Sequence, residues 1–421
     1  MDRADVAIIG GGPGGSSTAA FLADRGLRVA LFERERFPRF HVGESLMPAT
    51  MLLLDQLGVR HEIDARGFQL KYGATFVDEE SGTSETFYFL PGQPWPNYSY
   101  QVPRDEFDTV LLEHARKRGA AVYQPATVES AVFDADGVTV TARADGEPVS
   151  LRASMLVDAS GRDGFMASHY GERRRIPNLG KVALFAHYRS ARRAPGLEEG
   201  NIRVYVFKDG WCWWIPLAGD RTSVGAVCHA RTVRAWSGDM QSLYESMLAR
   251  SAGVSANLAG AERVTEVYST ANFAYENSPV IADRFVAVGD AVAFVDPIFS
   301  GGVYIALRTG QLAAEAIAAA AAANDFSRRR FAGYARRVRR GLQPLFKFIH
   351  KYYEPSFFHI FMHPSGRFGV YVAVLNVLSG GSWITMPWRV RLSLRVLFGI
   401  TRVHAWARRR RGLPVESRLE W

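Results

Sequence analysis

Gly10, Gly12 and Gly15 in the stretch GGGPGG (10–15) have the spacing Gly-x-Gly-x-x-Gly. The chemistry such a stretch can do is anion binding through the backbone. Gly10 and Gly12 let the chain turn and come close to a pyrophosphate, and Gly15 lets a following helix pack on the preceding strand. Pro13 and Gly14 complete the turn, and the helix start offers free N–H groups and positive potential to phosphate. Glu33, followed by Arg34, closes the next apolar run. It is positioned to accept from ribose hydroxyls, which favours an adenosine without a 2′-phosphate. A second stretch, GWCWWIPL (210–217), holds Trp211, Trp213 and Trp214. Each indole buries a large area and needs a partner for its N–H. Two readings stand: a core strand, or a wall inside an active site.

The elements around these residues give the spacing its meaning. DVAIIG (5–10) is an apolar run ending in glycine. GGSSTAAFLADRG (14–26) has helical spacing of Ala19, Phe21, Leu22 and Ala23 and stops at Gly26, and RVALFERE (28–35) reads as a second strand. Together they form a βαβ unit. Residues 119–161 read as short strands, among them GVTVTA (137–142) and ASMLVDASG (153–161), the latter running into another glycine turn. From about 179 to 277, KVALFAHYRS, NIRVYVF, GWCWWIPL, TSVGAVCHA and RVTEVYSTANFAYE read as a largely antiparallel sheet in a separate layer. RFVAVGDA (284–291) returns to a buried strand and a helix start. GQLAAEAIAAAAAAN (310–324) is a helix, and an amphipathic helix follows with Phe331, Tyr334, Val338, Leu342 and Leu345 near 3.6-residue spacing. Pro344 is a candidate kink in it. The aromatic, arginine-rich tail from about 352 reads as helices covering part of the body.

The expected fold is α/β. A discontinuous nucleotide-binding domain takes 1–65, 100–165 and 278–340, a substrate-side β-sheet domain takes 66–99 and 166–277, and a helical C-terminal region takes 341–421. A chain of 421 residues, 48% hydrophobic and 22% charged, has room for two or three lobes. Its two cysteines, Cys212 and Cys228, exclude a disulfide framework or a Cys-rich metal site and fit a reducing cytoplasm. MDRADVAIIG lacks the pattern of a signal peptide, and no run reaches the roughly 18 uninterrupted apolar residues of a membrane span. The net charge of +9 has its densest runs in SRRRFAGYARRVRR (327–340) and ARRRRG (407–412). Such runs read first as solvated helix faces and second as docking patches for acidic partners, and no recognition motif supports nucleic acid. His41, His114 and His187 have no ligand spacing, so no metal is expected.

Arg104 in VPRDEFDTVLLEHA, VDASG (157–161) and GDA (289–291) occur in the order found in the FAD-dependent monooxygenase superfamily, which the chain resembles. The resemblance implies FAD in a Rossmann-like domain of the glutathione-reductase type. Asp290, after Gly289, would hold the ribityl chain, and Arg104 would lie near the cofactor. No second glycine-rich fingerprint occurs, so reducing equivalents are expected from a separate flavin reductase.

Three further matches, over about residues 1–350, resemble the flavin-dependent halogenases. WCWWIP fits Trp-x-Trp-x-Ile-Pro through Trp211, Trp213, Ile215 and Pro216. FVDPIFSGG fits Phe-x-x-Pro-x-x-Ser-x-Gly through Phe294, Pro297, Ser300 and Gly302. LKYGA sets Lys71 before Tyr72 and Gly73, after HVGES (41–45). In that family a peroxide formed at the reduced flavin is attacked by chloride or bromide, and the resulting hypohalous acid travels past the tryptophan strand to a lysine. The resemblance implies that Trp211 and Trp213 form a partition, while Trp214, on the opposite side of the strand, belongs to the core. It gives Lys71 the task of aiming electrophilic halogen, for which a desolvated, lowered pKa is suited. Ser300, Gly301 and Gly302 would open a helix beside the flavin whose N–H groups bind halide, with Ser300 counted among the catalytic residues, and Pro297, Gly301, Gly302 and Val303 would contact the cofactor.

Phe299 stands where tryptophan halogenases carry Glu, so the chain resembles the phenol and pyrrole subclass. That implies chlorination or bromination in antibiotic or other secondary metabolism, in many members on acyl groups tethered to an acidic carrier protein. The arginine-rich stretches 327–340 and 389–411 are candidate docking faces for one. Two other readings stay open: an aromatic hydroxylase or polyprenyl reductase, and a non-catalytic FAD-binding protein lying on a membrane surface through PWRVRLSLRVLFGI (387–400).

Overall fold

The computed structural model describes residues 2–176, 180–271, 274–364, 369–383 and 386–412. Asn272 and Phe273, inside a stretch read as strand, and 413–421, at the end of the expected helical region, lie outside the described residues.

The chain opens with strand β1 (Asp2–Ile9), helix α1 (Pro13–Ala23) and strand β2 (Val29–Phe32). β1 runs parallel to β2 and to the strand Glu147–Asp158, with Ile9 level with both Phe32 and Asp158. All three strands therefore end at one height, and the loops that follow them face one space. The parallel strand Phe285–Ala287 adds a fourth ending beside Asp158. Gly15 is forced by packing, since a Cβ there would stand 1.8 Å from the Gly10 carbonyl oxygen. Gly10 itself has φ +100°, a region that favours glycine.

The second layer is built from β3 (Gln69–Lys71), β4 (Gly73–Asp78), β5 (Thr83–Tyr88), β6 (Ser99–Gln101), β7 (Lys181–Arg189), β8 (Ile202–Phe207), β9 (Gly210–Pro216) and β10 (Arg221–His229). Its large sheet runs in the order β7–β10–β9–β8–β4–β5, antiparallel except for the β8–β4 pair. β3 and β6 form a separate ladder that opposes Lys71 to Ser99.

Register decides which side chains share a face. One row across the sheet reads Phe185, Gly225, Trp213, Val204, Phe76, and the next reads Ala183, Val227, Trp211, Val206, Asp78. Alternation sends Cys212 and Trp214 to the other face, where they join a second core with Val224, Tyr244 and Met247.

The helical C-terminal part begins with α2 (Gly302–Ala322) and α3 (Arg328–Tyr352), then α4 (Pro355–Met362), α5 (Val370–Leu378) and α6 (Trp388–Arg410). α3 continues through Pro344, the expected kink site. α4 brings Phe361 onto the sheet, with its ring 4.8 Å from both Phe76 and Phe87 and 6.1 Å from Phe299. The tail thus covers the aromatic end of the second layer.

Candidate active site

The parallel strand ends and the inner face of the large sheet enclose a cavity of about 920 Å³. Of the residues singled out from the sequence, it is lined by Gly10, Gly12, Pro13, Gly14, Glu33, Arg34, Arg104, Trp211, Trp213, Gly289, Asp290, Pro297, Ser300, Gly301, Gly302 and Val303. Gly15 packs behind it, and Lys71 is outside its lining.

The glycine end suits a dinucleotide such as FAD. A Cβ at Gly12 would meet only Arg39 Nη2, at 3.5 Å, so the backbone is open toward the cavity. Arg39 pairs with Asp108 at 3.1 Å through that nitrogen, while its buried Nη1 has no partner. An unpartnered guanidinium N–H beside a glycine turn and a helix N-terminus has the chemistry of a phosphate ligand. Glu33 accepts from the N–H of Gly11 at 2.6 Å and of Glu35 at 2.8 Å, which holds its carboxylate at the cavity rim. Arg34 pairs with Asp163. Arg104 donates to both oxygens of Asp108, at 2.8 and 2.9 Å, and to the carbonyls of Val42 and Gly43. Asp290 has its carboxyl pushed up to about 6 by burial, against the pull of Arg162 and Arg104.

Trp211 and Trp213 face the same cavity from β9. Their ring centroids are 6.1 Å apart, and Phe185 lies 5.7 Å from Trp213. Trp213 donates its indole N–H to Ser223 Oγ at 3.2 Å and lies across Gly225, where a Cβ would stand 2.2 Å from the ring. Opposite them the chain turns through Pro297–Phe299 into Ser300, whose φ of +58° is unusual for a residue with a side chain, and α2 begins at Gly302. Asp296 holds this turn. One of its oxygens accepts from the Ile298 N–H at 3.0 Å, and the other is 2.7 Å from Lys181 Nζ. Neither charged group is exposed, and the ammonium lies 3.2 Å from the centre of the Tyr353 ring. Burial lowers Lys181 to about 8, with Asp296 opposing that shift.

Lys71 ends β3 behind the cavity wall. Its Nζ donates to Ser45 Oγ at 2.9 Å and to the Leu46 carbonyl at 3.0 Å, and it lies 5.5 Å from the centre of the Phe89 ring. Ser45 itself lines the cavity. No carboxylate lies within ion-pair distance of this ammonium among the described residues, and burial alone lowers its pKa to about 7. Next to Ser45, the Glu44 carboxylate pairs with His187 Nε2 at 2.8 Å, both buried.

Sequence reasoning missed Arg39, Glu44, Lys181, Gly225 and Asp296. His187 pairs with Glu44, which lines the cavity. Asp296 was within reach, because it lies inside the Phe-x-x-Pro stretch. Among the described residues no group of three or more His, Cys, Asp or Glu side chains could hold a metal ion.

A family model described as FAD binding domain matches residues 3–324. The 1H-pyrrole-2-carbonyl peptidyl-carrier-protein chlorinase of Pseudomonas fluorescens is 33% identical over 378 residues, 83% of each chain. The solved flavin-dependent brominase Bmp2 superposes with a TM-score of 0.85 at 27% identity, over 95% of this chain and 100% of that one. The myxobacterial chondrochloren halogenase CndH, described as a new variant of FAD-dependent halogenases, gives 0.81 at 31% identity, over 96% and 97%.

Proposed function

This chain belongs to the flavin-dependent halogenases, and from that premise we propose that it installs chlorine or bromine on a phenolic or pyrrolic ring presented to Lys71. Reduced FAD, with O₂ and halide, supplies hypohalous acid when bound. Arg39, the glycine turn, Glu33, Arg34, Arg104 and Asp290 are the residues that would hold the cofactor. The backbone N–H groups of Gly301, Gly302 and Val303, beside Ser300, would hold halide. Trp211 and Trp213, which line the cavity, would exclude an organic ring from it while a small oxidant passes along Ser45.

Lys71 then works in both protonation states. As an ammonium it donates to the oxygen of hypohalous acid. The ring carbon takes the halogen, the oxygen–halogen bond breaks, and the departing hydroxide leaves as water with the lysine's proton. The neutral amine takes the ring proton, so the sum is ring C–H plus hypohalous acid giving ring C–X plus water. A pKa of about 7 makes both forms available at neutral pH.

The observation that carries this reading is the company of Lys71: a hydroxyl and a carbonyl, with no carboxylate among the described residues to trap the charge. Phe299, ringed by Phe76, Phe348, Tyr352 and Phe361, offers aromatic surface in place of an acid, as suits a substrate activated by its own oxygen or nitrogen. The pyrrole chlorinase relative, whose name specifies a carrier-bound acyl group, supports a substrate tethered to a carrier protein. A separate flavin reductase in the cytoplasm would supply the reduced cofactor. No described helix is long and apolar enough to cross a membrane.

The test is reconstitution with FAD, a flavin reductase, NADH and chloride or bromide. A pyrrole-2-carbonyl thioester on a carrier, or a free phenol, should gain the mass of halogen for hydrogen. A product heavier by oxygen, whatever halide is present, contradicts the reading.

A further inference from the structure

Helix α6 combines two properties on one exposed face. Its inner side, with Leu394, Leu397 and Thr401, is buried, and Phe357 of α4 stacks on Phe398. On the outer side Trp388 is 63% exposed, Leu392 50%, Val403 65% and Trp406 54%. Their spacing keeps them in one stripe of about 27 Å at 1.5 Å per residue. Arg391, Arg395, Arg402 and Arg409 flank the stripe and are exposed. Residues 388–412 contain no Asp or Glu. Arg389, Arg391, Arg395 and Arg402 take part in no ion pair among the described residues. Arg389 and Arg410 instead lie over the rings of Trp388 and Trp406, at 5.5 and 4.0 Å.

α3 is the control inside the molecule. It is as rich in arginine, but Phe331, Tyr334, Val338, Leu342 and Leu345 are all buried, so its outer face is charge alone. An acidic protein or solvent satisfies such a face. α6 leaves Arg391, Arg395 and Arg402 without an ion pair among the described residues and large apolar side chains exposed, in a row with a tryptophan near each end. That pattern is matched by a surface taking charge at one depth and apolar groups just beneath it.

We propose that α6 lies flat on an anionic lipid surface. Trp388, Leu392, Val403 and Trp406 enter the headgroup–acyl boundary, and the flanking arginines meet lipid phosphates. Its buried side fixes the enzyme to the membrane in one orientation without any span. This inference is independent of the halogenation reading.

The probe is vesicle flotation of the full-length protein loaded with FAD. Vesicles of phosphatidylcholine alone are compared with vesicles containing about 30% phosphatidylglycerol. The protein should float with the anionic vesicles and not with the neutral ones, and rising salt should release it. Trp388→Ala/Trp406→Ala should weaken binding about tenfold or more, and Arg391→Glu/Arg395→Glu should abolish it. Retained flavin absorbance and an unchanged thermal unfolding midpoint would show that both variants are folded. Failure to float, or equal flotation of the double tryptophan variant, overturns the proposal. So does a dimer that hides the stripe, or binding to an acidic carrier domain without binding to vesicles.

Discussion

Lys71 and Lys181 are both fully buried, and burial pulls both ammonium groups down, to about 7 and about 8. Their company separates them. Lys181 sits 2.7 Å from Asp296, which in turn holds the turn leading to Ser300. Among the described residues Lys71 has the Ser45 hydroxyl, the Leu46 carbonyl and the Phe89 ring beside it, and no carboxylate within ion-pair distance. A buried charge beside a carboxylate is fixed, because removing either partner strands the other. A buried amine among neutral groups gains or loses a proton near neutral pH and leaves no ion behind. Under the proposed function one lysine is a clamp and the other a reagent, although burial treats them alike.

The widest separation between them is in turnover. Lys71→Met should lower halogenation by about 10²- to 10⁴-fold, the range of a lost acid–base group, while NADH and O₂ are still consumed; product mass spectrometry beside an oxygen electrode reads both. If Lys181→Met gives the same profile, the contrast collapses. Lys181→Met should instead cost stability, roughly 3–5 kcal/mol, by leaving Asp296 buried alone. Urea unfolding measures it, and adding Asp296→Asn should restore part of the loss.

The next difference is linked to pH. The folded-state pKa of Lys71 lies below the usual lysine value, so between the two the unfolded chain holds more protons. Stability contributed at this position then rises with pH, by about 1.4 kcal/mol per unit within that window. The stability advantage of Lys71→Met over the native chain should shrink from pH 7 to pH 9, and Lys181 cancels because both proteins carry it. An advantage constant over that range would mean that Lys71 titrates normally. The smallest effect concerns the wall itself. Gly225→Val would push a side chain into Trp213, at a cost of about 1–3 kcal/mol, and should lower product formed per O₂ consumed. Unchanged coupling would argue that the seat of Trp213 is irrelevant to the partition.

The legible parts of this molecule were local or periodic. The Gly10–Gly15 spacing, the strand ends around it and the opposite facing of Trp213 and Trp214 follow from turn chemistry and a period of two. Lys71 and Ser300 came from the resemblance of LKYGA and FVDPIFSGG to family motifs, and neither turn chemistry nor periodicity marks them. Gly225 was illegible because its role depends on the register that brings it under Trp213 from the neighbouring strand. The pairs Lys181–Asp296 and Glu44–His187 join residues 115 and 143 positions apart, beyond any pattern in a single chain. Arg39 sits in a loop without periodicity, and only the cavity gives its unpartnered N–H a meaning. The buried state of Lys71 itself could be expected from its motif alone, since a lone lysine on a short strand ordinarily faces solvent.

The most direct test of the central claim follows where the oxidant goes. Reconstituted enzyme and its Lys71→Met variant turn over with chloride and substrate while taurine in the bulk solution captures any escaping electrophilic chlorine as a chloramine. Confinement behind Trp211 and Trp213 predicts native product unaffected by taurine, and in the variant a loss of product with chloramine appearing in its place. Native product suppressed by taurine as strongly as in the variant would mean that the oxidant reaches its substrate through open solvent, and the partition would be wrong.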